Sequence, residues 1–174
     1  SLFSLIAVVS ISLTAFSQTS TNVQIISNDS AGYFLQKGLE EKGKGRRMES
    51  LKNFEKAAKY DSTSKEITTE LASAYFDLYK YNLSRLMYKK LVAMGDETAA
   101  NYKKIMTLSF QLKQHDDVLL YAQKLKKAEP SEKVSYFIGK VNYDNDNYGD
   151  AIKYLNEAAK EDPANAEIPY LVAR

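Results

Sequence analysis

Three places in the sequence hold residue types that can do chemistry. The single histidine, His115, is followed by Asp116 and Asp117, a combination that general acid–base catalysis uses. The acidic run from Asp144 to Asp150 carries Gly149 at its sixth place, as a calcium loop does. Basic residues cluster at 42–47 and 124–127, the kind of grouping that phosphate recognition requires. None of the three completes its chemistry. A lone histidine in a chain without cysteine cannot assemble a usual zinc site. Proton transfer at His115 would need a pocket to tune its pKa, and Asp116 and Asp117 suit the exposed N–H groups of a helix start instead. In the acidic run Tyr148 takes a ligand place, and Leu155 stands where the bidentate Glu is needed. The basic clusters fall at a helix turn and near the end of a helix, where positive charge complements the dipole. There is no glycine-rich phosphate cradle and no Gly-x-Ser-x-Gly elbow. No catalytic residue, metal or cofactor is therefore expected.

The elements that would have to position such groups repeat themselves. A segment of about 34 residues recurs four times, with first positions at Ala31, Lys65, Ala99 and Glu132, and a fifth copy begins at Ala166. The eighth position holds Gly38, Ala72, Met106 and Gly139; the twentieth holds Ser50, Ser84, Val118 and Ala151. Small residues there let two helices of a hairpin approach closely, while large apolar residues at the twelfth (Phe76, Phe110 and Tyr143) and the twenty-fourth (Phe54, Tyr88, Ala122 and Leu155) fill the space between hairpins. In the fourth copy helical spacing runs over 135–143, turn formers interrupt it at 144–147, and a second helix over 148–161 ends at Asp162-Pro163. Ser62 and Asp96 replace the closing proline in the first two copies, and Pro130 closes the third one residue early. Lys37 and Glu41 put charge where the first opening helix should be apolar, which suits the polar face of a terminal cap.

Ala151, Leu155, Ala158 and Pro163, with Gly45, Leu51, Phe54, Ala57, Ala58 and Asp61 in the first copy, resemble the tetratricopeptide repeat (TPR) family over residues 31–174. The resemblance implies an all-α, right-handed α-solenoid of antiparallel helix hairpins, with repeats at 31–64, 65–98, 99–131 and 132–165 and a partial one at 166–174. It also implies a non-catalytic protein–protein interaction module. In this family the first helices of successive repeats line a concave groove. Carried over by position, that groove holds Thr69, Ser73 and Asp77, then Lys103, Thr107 and Gln111, then Lys133, Tyr136, Lys140 and Asp144. Glu66, Ala100, Tyr170 and Arg174 occupy further such positions. Phe76, Phe110 and Tyr143 are read mainly as inter-repeat core. The cations predict an acidic peptide or protein partner. Leu35 and Leu39 stand where some members carry a Lys-x3-Asn carboxylate clamp, so a chaperone-tail clamp is not expected.

Composition agrees with a helical chain. Of 174 residues 44% are hydrophobic, and only three are proline and seven glycine, too few for a loop-rich domain. Twenty-four basic and 22 acidic residues give a net charge of +2, without the basic excess of a nucleic-acid binder. Residues 2–16 are uncharged and apolar, short for a membrane span, and read as the core of a secretory signal (1–17) cut before Gln18; an uncleaved anchor is the rival. A Ser/Thr/Asn-rich linker follows at 18–30. With no cysteine, the chain folds in an oxidising compartment without mispairing. Together these predict export to the periplasm, or association with outer-membrane or peptidoglycan-linked proteins. The two sequons at Asn28 and Asn82 are read as chance. The sequence stopping inside a helix at Arg174 predicts further protein beyond it. On that expectation the array is either the N-terminal part of an envelope protein or the sensor of a transducer or enzyme whose active domain follows; self-association through the fifth helix is a third reading.

Overall fold

The computed structural model describes residues 30–173. The predicted signal segment, the predicted linker up to residue 29 and Arg174 lie outside the described residues. Within them every regular element is an α-helix: α1 (residues 30–43), α2 (Arg47–Tyr60), α3 (Lys65–Asp77), α4 (Tyr81–Ala93), α5 (Ala99–Gln111), α6 (His115–Ala128), α7 (Ser135–Asp144), α8 (Tyr148–Glu161) and α9 (Glu167–Val172). None of these helices is long and apolar enough to cross a membrane. The chain divides into two compact units, one reaching Ala74 and the other starting at Tyr75, so the break falls inside α3.

In the first unit α1 and α2 form a close pair. A Cβ on Gly38 would sit 2.4 Å from the ring of the fully buried Phe54, and the Ser50 hydroxyl donates to the Gly38 carbonyl across 2.9 Å. The eighth, twentieth and twenty-fourth positions of the first copy thus meet at one point, so a ring as large as Phe54 requires small residues at the other two. Buried Leu51 and Ala57 extend the contact along α2. Despite Lys37 and Glu41, α1 is a complete helix. Glu41 accepts from Lys44 and Arg46, and these bonds, that to Lys44 foremost, hold its carboxyl below the usual range. Lys42 reaches Glu70 of α3 at 2.7 Å.

In the second unit each helix packs on the next: α4 on α5, α5 on α6, α6 on α7, α7 on α8 and α8 on α9. The same close approach recurs at Gly139, where a Cβ would lie 2.8 Å from Leu155 Cγ and 3.0 Å from the Leu155 backbone nitrogen. Leu155 and Ala158 of α8 close a buried cluster with Ile168 and Leu171 of α9. Met106, Val118, Ala122 and Leu125 do the same work between α5 and α6.

The turns inside the hairpins are alike. Gly45, Tyr79, Lys113 and Asp146, the fifteenth residue of each copy, all have positive φ, between 54° and 73°. In each case the next N–H donates to the carbonyl five residues back: Arg46 to Glu41, Lys80 to Tyr75, Gln114 to Ser109 and Asn147 to Asn142, at 2.8–2.9 Å. This is the Schellman closure of the first helix. The predicted calcium-like run is this turn in the fourth copy. Its Asn147 side chain donates to Asn142 and Asp150, and Asp146 accepts from the Tyr148 hydroxyl at 2.8 Å.

Where the closing proline is missing, other residues stop the helix. After α4, Gly95 at φ 79° allows the Asp96 N–H to reach the Leu91 carbonyl. After α2, Asp61 accepts from the backbone of Thr63 and Ser64. Two expectations are corrected. Phe76 is 38% exposed rather than core, whereas Phe110 and Tyr143, half-buried, do pack between copies, Phe110 against Phe137 and Tyr143 against the cluster of α8 and α9. Lys133 stands in the turn before α7 rather than on its face, since α7 opens only at Ser135. Pro130 and the Glu132 N–H bond to the Glu129 carbonyl shape that turn.

Candidate ligand-binding face

The ten residues expected on the groove all reach the surface: six are exposed and Ser73, Thr107, Tyr136 and Lys140 are half-buried. Their polar atoms are not idle. Thr69 and Thr107 turn their hydroxyls back to the carbonyls of Lys65 and Lys103, one helical turn earlier. Lys103 holds both oxygens of Glu132 at 2.8 Å. Lys140 is ion-paired with Asp144 one turn further along α7 and lies 5.3 Å from the centre of the Tyr143 ring. Two of the cations that predicted an acidic ligand, Lys103 and Lys140, are thus each already met by a carboxylate.

Tyr136 has the most perturbed environment. Its hydroxyl donates to Glu167 of α9 at 2.6 Å. Burial first, and then this bond to a carboxylate, push the phenol far above its ordinary value, so it stays protonated. Its ring packs against Phe110 at 6.1 Å, and Phe110 meets Phe137 edge-on at 5.0 Å. These rings form an apolar floor across α5 and α7.

Beside that floor a recess of about 530 Å³ is lined by Phe110, Gln111, Lys113, His115, Lys140 and Asp144. It brings together three of the predicted residues, Gln111, Lys140 and Asp144. The structure adds Lys113 and His115, neither of which was expected in the groove. His115 begins α6, and its Nδ1 lies 2.6 Å from Asn145 Oδ1, tying the turn of the third copy to that of the fourth. The signal that could have found them is the turn itself: with residue fifteen left-handed, side chains fifteen and seventeen project toward the end of the next first helix. The recess offers an aromatic wall, an amide, an imidazole and a cation beside a carboxylate. Such a set orients a polar backbone or side chain by hydrogen bonding while an apolar group covers the rings.

Solved structures share the fold that carries this recess. YrrB, a TPR protein with an unusual peptide-binding site, superposes with a TM-score of 0.65 at 16% identity, covering 80% of this chain and 72% of that one. MamA gives 0.67 at 16% identity, with 83% and 79% covered. MamA from Desulfovibrio magneticus RS-1, residue 41 to the end, gives 0.65 at 15% identity, with 83% and 82% covered. No family model and no curated protein matches the chain. At these identities the likeness establishes the fold: an all-α solenoid of tetratricopeptide hairpins.

Proposed function

We propose that this chain is a non-catalytic interaction module that holds a segment of another protein on the first-helix face of its second unit. The observation that carries the reading is the recess between α5 and α7, with its Phe110 wall and the mixed polar set of Gln111, His115, Lys140 and Asp144. It belongs to a fold shared with YrrB, a protein with a peptide-binding site. Lys140 lines the recess, Tyr136 packs against its Phe110 wall and Lys103 stands earlier on α5; these are the contacts expected to select the ligand. An acidic side chain on the ligand would compete with Glu132 for Lys103 and with Asp144 for Lys140. Exposed ion pairs are worth only about 0–1 kcal/mol, so the exchange costs little. The uncharged apolar stretch 2–16 and the lack of cysteine favour an exported protein of a bacterial envelope.

The test is recovery of partners from envelope extract on immobilised protein, followed by mass spectrometry, with wild type compared with Lys103→Glu/Lys140→Glu. The double variant is expected to keep the wild-type circular dichroism, with a melting point lowered by the loss of its two ion pairs with Glu132 and Asp144, while losing the specifically retained protein. Identical recoveries from a folded variant would overturn the assignment.

A further inference from the structure

The first hairpin carries a surface that the peptide-binding reading does not use. Residues 30–60 hold eight Lys and Arg against four Asp and Glu, a net of +4, whereas residues 61–174 hold sixteen against seventeen, a net of −1. The charge of the chain is therefore concentrated on α1, α2 and the turn joining them. On α2 the lysines at 52, 56 and 59 recur at helical spacing and are all exposed, opposite the buried Leu51, Phe54 and Ala57. Met48, 47% exposed, and Tyr60, 48% exposed, stand at the two ends of that stripe. Glu49 and Glu55 flank it without cancelling the local excess.

The stripe continues onto α1 through aromatic rings. Tyr60 stacks on Phe34 at 5.7 Å, and Phe34 meets Tyr33 edge-on at 5.2 Å. Lysines lie on the same rings, Lys56 at 5.2 Å from the Phe34 centre and Lys37 at 5.9 Å from that of Tyr33. Tyr33 is itself 60% exposed. Tyrosine rings with an apolar body and a polar tip, interleaved with long lysines, are the side chains that settle at a bilayer's headgroup level. Lysines near such a surface are attracted by anionic lipids over about a Debye length.

We propose that this aromatic–lysine face of the first hairpin docks on the anionic phospholipid headgroups of a bilayer. Lys52, Lys56 and Lys59 supply the electrostatic attraction, and Tyr33, Tyr60 and Met48 enter the interfacial layer. The recess between α5 and α7 is not involved.

The full chain is mixed with vesicles of phosphatidylcholine alone, or with about one third phosphatidylglycerol, and the bound fraction is measured by co-sedimentation. Residues 2–16 would bind both compositions alike, so the difference between them isolates the charged face. Binding to the anionic vesicles is expected to be at least about tenfold tighter and to fall to the neutral value as salt rises from about 0.05 to about 0.5 M. Lys52→Glu/Lys56→Glu/Lys59→Glu should abolish the difference, and Lys52→Gln/Lys56→Gln/Lys59→Gln, which leaves the helix uncharged there, should do so if the first variant does not fold. Equal affinity for the two vesicles, an increment that survives the substitutions, or retention on poly-glutamate with none on anionic vesicles would overturn the proposal.

Discussion

Gly139 and Gly149 belong to one hairpin, yet only one of them is needed. Alanine ordinarily improves a helix over glycine by about 0.5–1 kcal/mol, and a Cβ on Gly149 meets nothing within 4 Å. Gly149→Ala should therefore raise the urea midpoint by that order. At Gly139 the added carbon falls within 3.0 Å of Leu155, including its backbone nitrogen. Overpacking of that kind costs about 1–3 kcal/mol, so Gly139→Ala should lower the midpoint in spite of the propensity gain. Tyr136 supplies a pH dependence. Burial and the bond to Glu167 raise its phenol, so the folded chain keeps a proton that the unfolded chain releases near pH 10. A raised folded pKa leaves stability intact below the unfolded value and lowers it as pH climbs beyond. Tyr102 and Tyr121, also raised by burial first, act in the same direction. Stability should fall between about pH 9.5 and 11, and Tyr136→Phe should make that fall shallower without removing it, as denaturant titrations at several pH values can show. Gly139 was legible in the sequence because it stands at the eighth position opposite a large Leu155 at the twenty-fourth, as Gly38 stands opposite Phe54. The carboxylates opposite Lys103 and Lys140 were not, since Glu132 reaches Lys103 only through the turn that Pro130 bends.

Hairpin turns and helix-to-helix charge contacts govern the elements. The left-handed fifteenth residue is glycine only in the first copy; Tyr79 adopts φ 58° with its side chain largely exposed. A bulky residue in that region costs about 1–3 kcal/mol, and the edge-on contact with Tyr81 at 6.0 Å returns only part of it. Tyr79→Gly should thus stabilise the chain by roughly 1 kcal/mol in a urea melt. Between α4 and α6, Asp117 binds both Arg85 and Lys89, with the Asp117 and Arg85 side chains only 16% and 11% exposed. Replacing it by Asn leaves two nearby cations half-answered, and charged hydrogen bonds of this kind are worth about 1.5–3 kcal/mol. The more exposed Lys103–Glu132 pair should yield less than about 1 kcal/mol on Lys103→Gln. A measured order opposite to this would show that burial does not set the difference. Helix α8 was readable to its last residue, because Asn147 and Asp162-Pro163 bracket a single apolar stripe. The start of α7 at Ser135 was readable too, since the helical spacing opens there; what misled was counting the copy from Glu132, which put Lys133 on a helix face that begins two residues later. The exposure of Phe76 escaped for another reason: helical spacing says that an aromatic faces its neighbours, but not how far they extend to cover it.

Over the whole chain, the repeat period reveals the architecture while the recognition surfaces depend on how neighbouring copies pair their turns. The 34-residue spacing of small and large positions suffices to predict hairpins stacked by their apolar faces. It says nothing of the recess, because Lys113 and His115 come from one copy and Lys140 and Asp144 from the next. Repeats that touch only their neighbours also lose structure locally, since each interface contributes separately to stability. Helix α7 packs on α6 and α8 and meets α5 through Phe110, and α8 packs on α9, so damage at Gly139 bears first on α7, α8 and α9, which close on its contact with Leu155. Amide hydrogen exchange on Gly139→Ala should accordingly show protection falling through α7, α8 and α9. Protection in α1 and α2, whose own close contact is that of Gly38 with Phe54, should stay at the wild-type level. Gly38→Ala should give the reverse pattern. If either substitution lowered protection evenly from α1 to α9, the chain would unfold as one cooperative block, and its stability could not be treated as a sum over hairpins.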